Sequence, residues 1–390
     1  MIYLDAAATT PVRREVLEAM WPWLTGEFGN ASSHHELGAR ARDGLEGARA
    51  EVAGILGCRP SEVVFTSGGT EADNLAVKGI ALARRAADPG RTRVAVSAVE
   101  HPAVLESARS LARLHGFAVD VVPVDGHGAV EPAALAGVLG PDTAVASVMY
   151  ANNEVGTVQP VAELAGAARA AGVLFHTDAV QAAGWLPLDV RALGADALSL
   201  SGHKLGAPKG VGALYVAGRV TVEPVVDGGG QERGLRSGTE NVAGAVAFAT
   251  ALRLAEAERA AAAARVGELR DRFVFRVLAL VPDALLTGHP TQRLPGSASF
   301  CFPRVSGESV LLELERRGVV CSSGSACAAG SSEPSHVLTA LGLAPEVAQT
   351  AVRFTLPATV TSEELDAAAA ALADSYGAVL SLAGPASCPP

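Results

Sequence analysis

The sequence predicts an α/β fold built on a mostly parallel sheet. Between residues 60 and 220, short apolar runs alternate with loops and helical stretches. Strands alternating with helices argue for a parallel sheet covered by its own crossovers. The chain has 390 residues, 49% of them hydrophobic. That is enough to bury a large core, and the length is a soft prior of two to three domains. Five of the strand-like runs also end in polar residues that a plain turn does not need.

The first apolar run is Glu62 to Thr66, followed by Ser67-Gly68-Gly69-Thr70 and a helix reaching about Arg85. The second, Arg93 to Ser97, leads to Glu100-His101 and a helix opening at Pro102, where the fixed φ of proline suits a first turn. That helix places Leu105, Ala108, Leu111 and Leu114 on one face and stops at Gly116. Ala144 to Met149 ends at Asn152-Asn153, and Val173 to Phe175 runs into His176-Thr177-Asp178. Ala197 to Leu200 runs into Ser201-Gly202-His203-Lys204. Asn241 to Leu280 reads as one Ala-rich connecting helix. Beyond it, Ala298 to Phe302 alternates as a strand, and Ser309 to Arg317 is amphipathic with Gly318 as its stop. Val352 to Leu356 is an apolar strand carrying Arg353, and Glu363 to Leu382 is helical. Residues 384–390 read as a disordered tail.

Composition excludes several functions. A net charge of −10 and 4% aromatic residues argue against direct nucleic-acid binding. No uncharged apolar run reaches the ~18 residues of a membrane span, and the N-terminus lacks the pattern of a signal peptide. The five cysteines, Cys58, Cys301, Cys321, Cys327 and Cys388, are odd in number and show no C-x-x-C spacing, so neither a disulfide framework nor a zinc site is expected. A reducing cytoplasm is the expected compartment. Only three lysines occur, Lys78, Lys204 and Lys209, so any chemistry needing a lysine has three candidates.

In open α/β sheets, ligands bind beyond the carboxyl ends of the strands. Ser67-Gly68-Gly69-Thr70 lies between a strand and a helix, where backbone amides favour a phosphate. A tight strand-to-helix turn is the plainer reading, and without G-K-[ST] a nucleoside triphosphate is disfavoured. Asp178 after a buried strand needs a partner, either a protonated ring nitrogen or helix amides to cap. Lys204 is either a surface lysine or, desolvated in a pocket, one able to form a Schiff base. Taken together, phosphate turn, carboxylate and lysine are the three anchors that pyridoxal phosphate requires. His101 alone reads as a helix-start residue. Arg353 needs a carboxylate, from a substrate or from a structural Asp or Glu.

A second centre is Cys321-Ser322-Ser323-Gly324-Ser325-Ala326-Cys327-Ala328-Ala329-Gly330. Free of bulky residues, it predicts a mobile loop, and Cys327 there suits a nucleophile that must travel. Cys301 reads as core, Cys321 as a small residue at a strand end, Cys58 as a turn residue and Cys388 as incidental.

Seven motifs in order carry a resemblance over residues 3 to about 356. They begin with Tyr3-Leu4-Asp5-Ala6-Ala7-Ala8-Thr9-Thr10-Pro11, Thr66-Ser67-Gly68-Gly69-Thr70-Glu71-Ala72-Asp73-Asn74-Leu75 and Glu100-His101-Pro102-Ala103-Val104-Leu105. Asn152-Asn153-Glu154-Val155-Gly156 and Ser201-Gly202-His203-Lys204 follow. The last are Gly228 to Gly234 with Arg236-Ser237-Gly238-Thr239-Glu240-Asn241, and Ser322 to Cys327 with Glu333-Pro334-Ser335-His336-Val337-Leu338. The chain resembles the cysteine desulfurases, class V enzymes of fold-type I that depend on pyridoxal 5'-phosphate. Its Ser-Ser-Gly-Ser-Ala-Cys stretch is similar to that of the long-loop group serving iron–sulfur assembly and thiolation.

The resemblance implies an aspartate-aminotransferase-like fold. A large cofactor domain, 15–255, would hold a seven-stranded, mostly parallel sheet. A smaller α/β domain would be made of 1–14 and 256–383. Lys204 would carry the cofactor covalently and remove the α-proton. Gly69, Thr70, Ser201, His203 and, from a second copy, Thr239 would hold its phosphate. Asp178 would pair with the ring nitrogen, Gln181 and Asn153 would lie by the ring oxygen, and His101 would stack on the ring and move protons. Arg353, with Asn30 and Asn153, would hold the L-cysteine carboxylate. Cys327 would take the sulfur as a persulfide, leave L-alanine, and pass the sulfur to an acceptor protein for iron–sulfur assembly, tRNA thiolation or DNA phosphorothioation. A homodimer is implied. Another class V activity, such as a selenocysteine lyase, and an inactive sulfur-transfer scaffold are the alternatives.

Overall fold

The structure is a computed structural model that describes residues 1–323 and 333–382. A short first strand, β1 (Ile2–Tyr3), precedes seven strands of one sheet. These are β2 (Val63–Thr66), β3 (Arg93–Ser97), β4 (Ala118–Val122), β5 (Thr143–Ser147), β6 (Leu174–Asp178), β7 (Ala197–Ser201) and β8 (Gly212–Val216). Their order is β2-β8-β7-β6-β5-β3-β4. Only β8 runs against its neighbours; the other pairings are parallel. β5 and β7 are buried at every residue, as a sheet covered on both faces requires. Val52, Leu56, Phe175, Leu198 and Phe248 pack on one face, and Leu75, Ile80, Val96, Leu111 and Leu214 on the other.

Because six of the seven strands point the same way, the ends of β2, β3, β5, β6 and β7 meet at one edge of the sheet. That geometry lines the five polar strand endings along one edge.

Three further strands, β9 (Leu285–Leu286), β10 (Ser297–Cys301) and, after β11 (Val319–Val320), β12 (Ala351–Thr355), form an antiparallel sheet ordered β12-β10-β9. β11 pairs in parallel with β1. The helix Val242–Leu280 serves two cores. Val242, Phe248 and Leu252 pack with the large sheet, whereas Val266, Phe273 and Val277 pack with Phe300, Phe302 and Phe354 of the small one. Ser362–Leu382 is long and apolar enough to match a membrane-spanning helix by length and composition alone. Leu365, Leu372 and Val379 nevertheless lie in the small-sheet core.

One sheet edge is closed by side chains instead of by a strand. Val63 O on the open side of β2 accepts from Arg49 Nη1 at 2.8 Å and from Arg233 Nη2 at 2.6 Å. Phe65 N donates to Glu232 Oε2 at 3.0 Å. Arg49 and Glu232 are paired bidentately at 2.6 and 2.8 Å, both side chains 2% exposed. Glu232 and Arg233 adopt φ of +47° and +59°, strained for residues with a Cβ.

The strands that carry the polar endings and the long helix lie where the sequence pattern places them, whereas β4, β8 and the helices Arg14–Thr25 and Glu36–Leu56 are additions to that pattern. The helix after β2 also differs from a plain α-helix, because Leu75–Gly79 is wound as a π-turn. Gly79 packs there against Glu223, and a Cβ would lie 2.5 Å from Glu223 O.

Candidate active site

The turn Ser67–Thr70 follows β2. A Cβ on Gly69 would lie 2.7 Å from Val180 Cγ2 and 3.5 Å from Ser201 Cβ, so only glycine allows the turn to pack this closely. Gly212 abuts Gly68, which has φ +154°. The structure thus brings Gly69 and Ser201 together, with Thr70 exposed beside them.

Asp178 ends β6 and is 5% exposed. Its Oδ1 accepts from Val180 N at 2.9 Å. Burial pushes its carboxyl above the usual range, while His101, the Val180 amide and Lys204 act the other way. His101 caps the helix Pro102–His115, its Nδ1 accepting from Ala103 N at 3.1 Å. The helix-start reading therefore holds alongside its nearness to Asp178.

Lys204 follows β7 in a tight turn, Gly202–Lys204. Its Nζ donates to the carbonyls of Ala7 and Ala8, the second at 2.8 Å. Gln181 Nε2 donates to the same Ala7 carbonyl at 3.1 Å. His203 shares a hydrogen bond with Thr9 Oγ1 at 3.2 Å, and burial first, then Lys204 and Lys209, push its imidazole down to about 4. The N-terminal residues therefore lie across the Lys204 turn. A cavity of ≈ 360 Å³ opens here, walled by Tyr3, Ala7, Asn153, Gln181, Trp185 and Lys204. Asp178 and the Ser67–Thr70 turn are outside its lining.

Arg353 is buried in β12. Its Nη1 donates to Asn153 O at 2.8 Å and its Nη2 to Asp5 Oδ1 at 2.8 Å. A structural carboxylate thus answers the arginine, and the guanidinium lies against the Asn153 turn. That turn is shaped by Asn152, whose Oδ1 accepts from Glu154 N and Val155 N at 2.8 and 2.9 Å. Asn30 is exposed, and its Oδ1 accepts from Ser32 N at 2.8 Å. It makes no hydrogen bond to Arg353.

Cys327 lies outside the described residues, as do Cys388 and the tail. The described residues flanking its segment are fastened at this edge. Ser322 and Arg353 exchange backbone hydrogen bonds at 3.2 and 2.6 Å. On the far side, Ser335 Oγ donates to Glu154 Oε2 at 2.5 Å, and His336 Nε2 is 2.9 Å from Glu100 O. The three described cysteines are free thiols raised by burial: Cys58 to about 11, Cys301 to about 11, and Cys321 further still.

A buried polar layer that sequence reasoning assigned no role lies beside Asp178. His176 bridges Ser147 Oγ and Ser199 Oγ at 2.9 Å each, and burial lowers it to about 3. It is therefore neutral, and its 3.7 Å approach to Asp73 is no ion pair. Burial, then Asp178, hold the Asp73 carboxyl well above its ordinary range. Burial raises Glu100 to about 8 despite bonds from Ser97 Oγ and Met149 N. The only signal for these residues was a carboxyl or imidazole on an otherwise apolar strand or helix face.

Residues 2–368 match the profile described as Aminotransferase class-V. The curated "Cysteine desulfurase IscS" of Dictyoglomus turgidum is 46% identical over 365 residues, covering 94% of this chain and 92% of that protein. The chain belongs to the class V cysteine desulfurase family. Two solved structures extend the likeness. A "NifS-like protein" superposes with a TM-score of 0.88 at 36% identity, covering 96% of this chain and 98% of that one. "SspA in complex with cysteine" gives 0.78 at 33% identity, covering 92% and 99%. Desulfurases of this family depend on pyridoxal phosphate, and the turn that only glycine can fill at Gly69, the buried Asp178 carboxylate and the strand-end lysine fit that group.

Proposed function

We propose that this desulfurase takes sulfur from free L-cysteine with pyridoxal phosphate held on Lys204, and that Cys327 receives the sulfur. The observation that carries this is the meeting of the close-packed Gly69 turn, buried Asp178 and Lys204 at one sheet edge. When bound, the cofactor supplies an electron sink for the bond broken at the substrate Cα. Gly69, Thr70, Ser201 and His203 would seat its phosphate, Asp178 would face the ring nitrogen, and Gln181 would lie by the ring oxygen.

The chain's own groups do the rest. Arg353, fixed by Asp5, binds the substrate carboxylate, with Asn153 alongside. The Lys204 amine removes the proton on Cα and His101 returns one. The Cys327 thiolate attacks the substrate sulfur; an S–S bond forms and the Cβ–S bond breaks, its electron pair staying on Cβ, which takes up the proton given up by the Cys327 thiol, so that alanine and a Cys327 persulfide result. The persulfide goes to an acceptor protein. Net charge −10 supports a protein acceptor over direct contact with nucleic acid. Thr239 is exposed on its own chain, which supports a homodimer in which it reaches a second site. The two cores served by Val242–Leu280 support a division into 15–255 and 1–14 with 256–383. Free Cys58, Cys301 and Cys321 support a reducing compartment.

The test is alanine and sulfide formation from cysteine with dithiothreitol present, by wild type and by Cys327→Ser. Wild type should form both in equal amounts, and the variant should keep its cofactor and form no sulfide. Unchanged sulfide release by the variant would refute the assignment.

A further inference from the structure

Residues 228–239 do more than close the β2 edge. Arg236 Nε donates to Glu71 Oε1 at 2.8 Å, with side chains 24% and 16% exposed. The other oxygen, Glu71 Oε2, accepts from Ser67 N at 2.7 Å. One carboxylate thus links Arg236 to the first residue of the Ser67–Thr70 turn.

A carboxylate at this position needs an explanation. Glu71 sits in the first turn of Gly69–Asn74, beside the amides that would receive a phosphate. A carboxylate and a phosphate dianion repel there, and the partly buried setting weakens screening. Burial raises the Glu71 carboxyl, but its bonds from Arg236 and Ser67 outweigh that, so it stays ionised. The Arg236 guanidinium cancels this charge, its Nη2 also reaching Oε2 at 3.4 Å, while the shorter bond to Oε2 is the one from Ser67 N. Three residues beyond Arg236 the chain presents exposed Thr239.

We propose that Arg236 and Glu71 are positioning residues for the cofactor phosphate: Glu71 fixes Ser67, and Arg236 neutralises Glu71 where a dianion must bind. The inference rests on reading the Ser67–Thr70 turn as the phosphate seat. It predicts a charge effect specific to the phosphate. Arg236→Gln leaves Glu71 uncompensated and should weaken pyridoxal phosphate binding by about tenfold. The doubly substituted Arg236→Gln, Glu71→Gln protein should regain most of that affinity. Arg236→Lys should stay near wild type.

The experiment strips the cofactor from each full-length protein and measures equilibrium binding of pyridoxal phosphate and of pyridoxal by absorbance. The expected result is a loss for pyridoxal phosphate alone, repaired in the double variant. Equal losses for both ligands, or a double variant as weak as Arg236→Gln, would overturn the proposal by showing a merely structural role. Wild-type protein that binds both ligands alike would instead overturn the phosphate seat itself, so the two failures are distinct. Arg236→Lys that folds and binds as weakly as Arg236→Gln also counts against it.

Discussion

Arg353 is ion-paired with Asp5, 348 residues away in the chain, at 2.8 Å. The guanidinium is 3% exposed and the carboxylate 17%. A buried guanidinium held on one side by a protein carboxylate is oriented before any substrate arrives, and holding it costs nothing further on binding.

Asp5→Asn should therefore raise KM for cysteine by about tenfold, as the loss of about one charge-assisted hydrogen bond implies. Cofactor content should stay the same. Initial rates across cysteine concentrations, read beside the cofactor absorbance, check both. A KM equal to wild type would show that Asp5 does not orient the arginine.

Lys204→Ala should bind cofactor without a covalent link. Borohydride treatment followed by mass measurement should add the reduced cofactor to wild type and nothing to the variant. A reducible adduct in Lys204→Ala would remove the lysine from its assigned place.

Thiol reactivity should separate Cys327 from the three buried thiols. Burial lifts Cys58 and Cys301 to about 11 and Cys321 higher, so all three are almost wholly protonated at neutral pH. Brief iodoacetamide treatment at pH 7, followed by peptide mapping, should label Cys327 well before those three. Equal labelling of Cys321 would contradict this order.

Glu100 and His176 should shape stability with pH in opposite senses. The Glu100 carboxyl is raised from 4.5 to about 8, so its contribution is full below 4.5 and is lost as pH climbs through 8. His176 is lowered from 6.5 to about 3, so its contribution is full above 6.5 and is lost as pH falls through 3. Glu100→Gln should consequently destabilise the protein less at pH 8 than at pH 5, measured by urea unfolding. An equal penalty at both would mean that Glu100 ionises normally.

Breaking the buried Arg49–Glu232 pair should be expensive. Glu232→Gln strands a guanidinium that is 2% exposed, a loss of about 3 kcal/mol or more in urea unfolding. A loss under 1 kcal/mol would show that water reaches Arg49 and compensates it.

The strands that build the site were legible because each is a short, largely apolar run closed by residues that a turn does not require. Lys204 stood out because lysine is scarce, and Asp178 because a carboxylate after a buried strand needs a partner. β4 was harder to see, since its half-exposed sheet-edge residues, Ala118 to Val122, lack a continuous apolar run. The Asp5–Arg353 and Arg49–Glu232 pairs could not be read from either partner alone, because their residues meet only after the chain has folded across long separations. Gly79, at the end of the π-turn Leu75–Gly79, packs closely against Glu223, an approach that no local pattern announces.

The side-chain closure of β2 bears on how the protein behaves in a crowded solution. An open strand edge is a template on which another chain can add a strand, and assemblies can grow from it. Here Arg49, Glu232 and Arg233 occupy Val63 O and Phe65 N, the groups such a strand would need. The residues that steady the β2 edge next to the Ser67–Thr70 turn thus also hinder strand addition there.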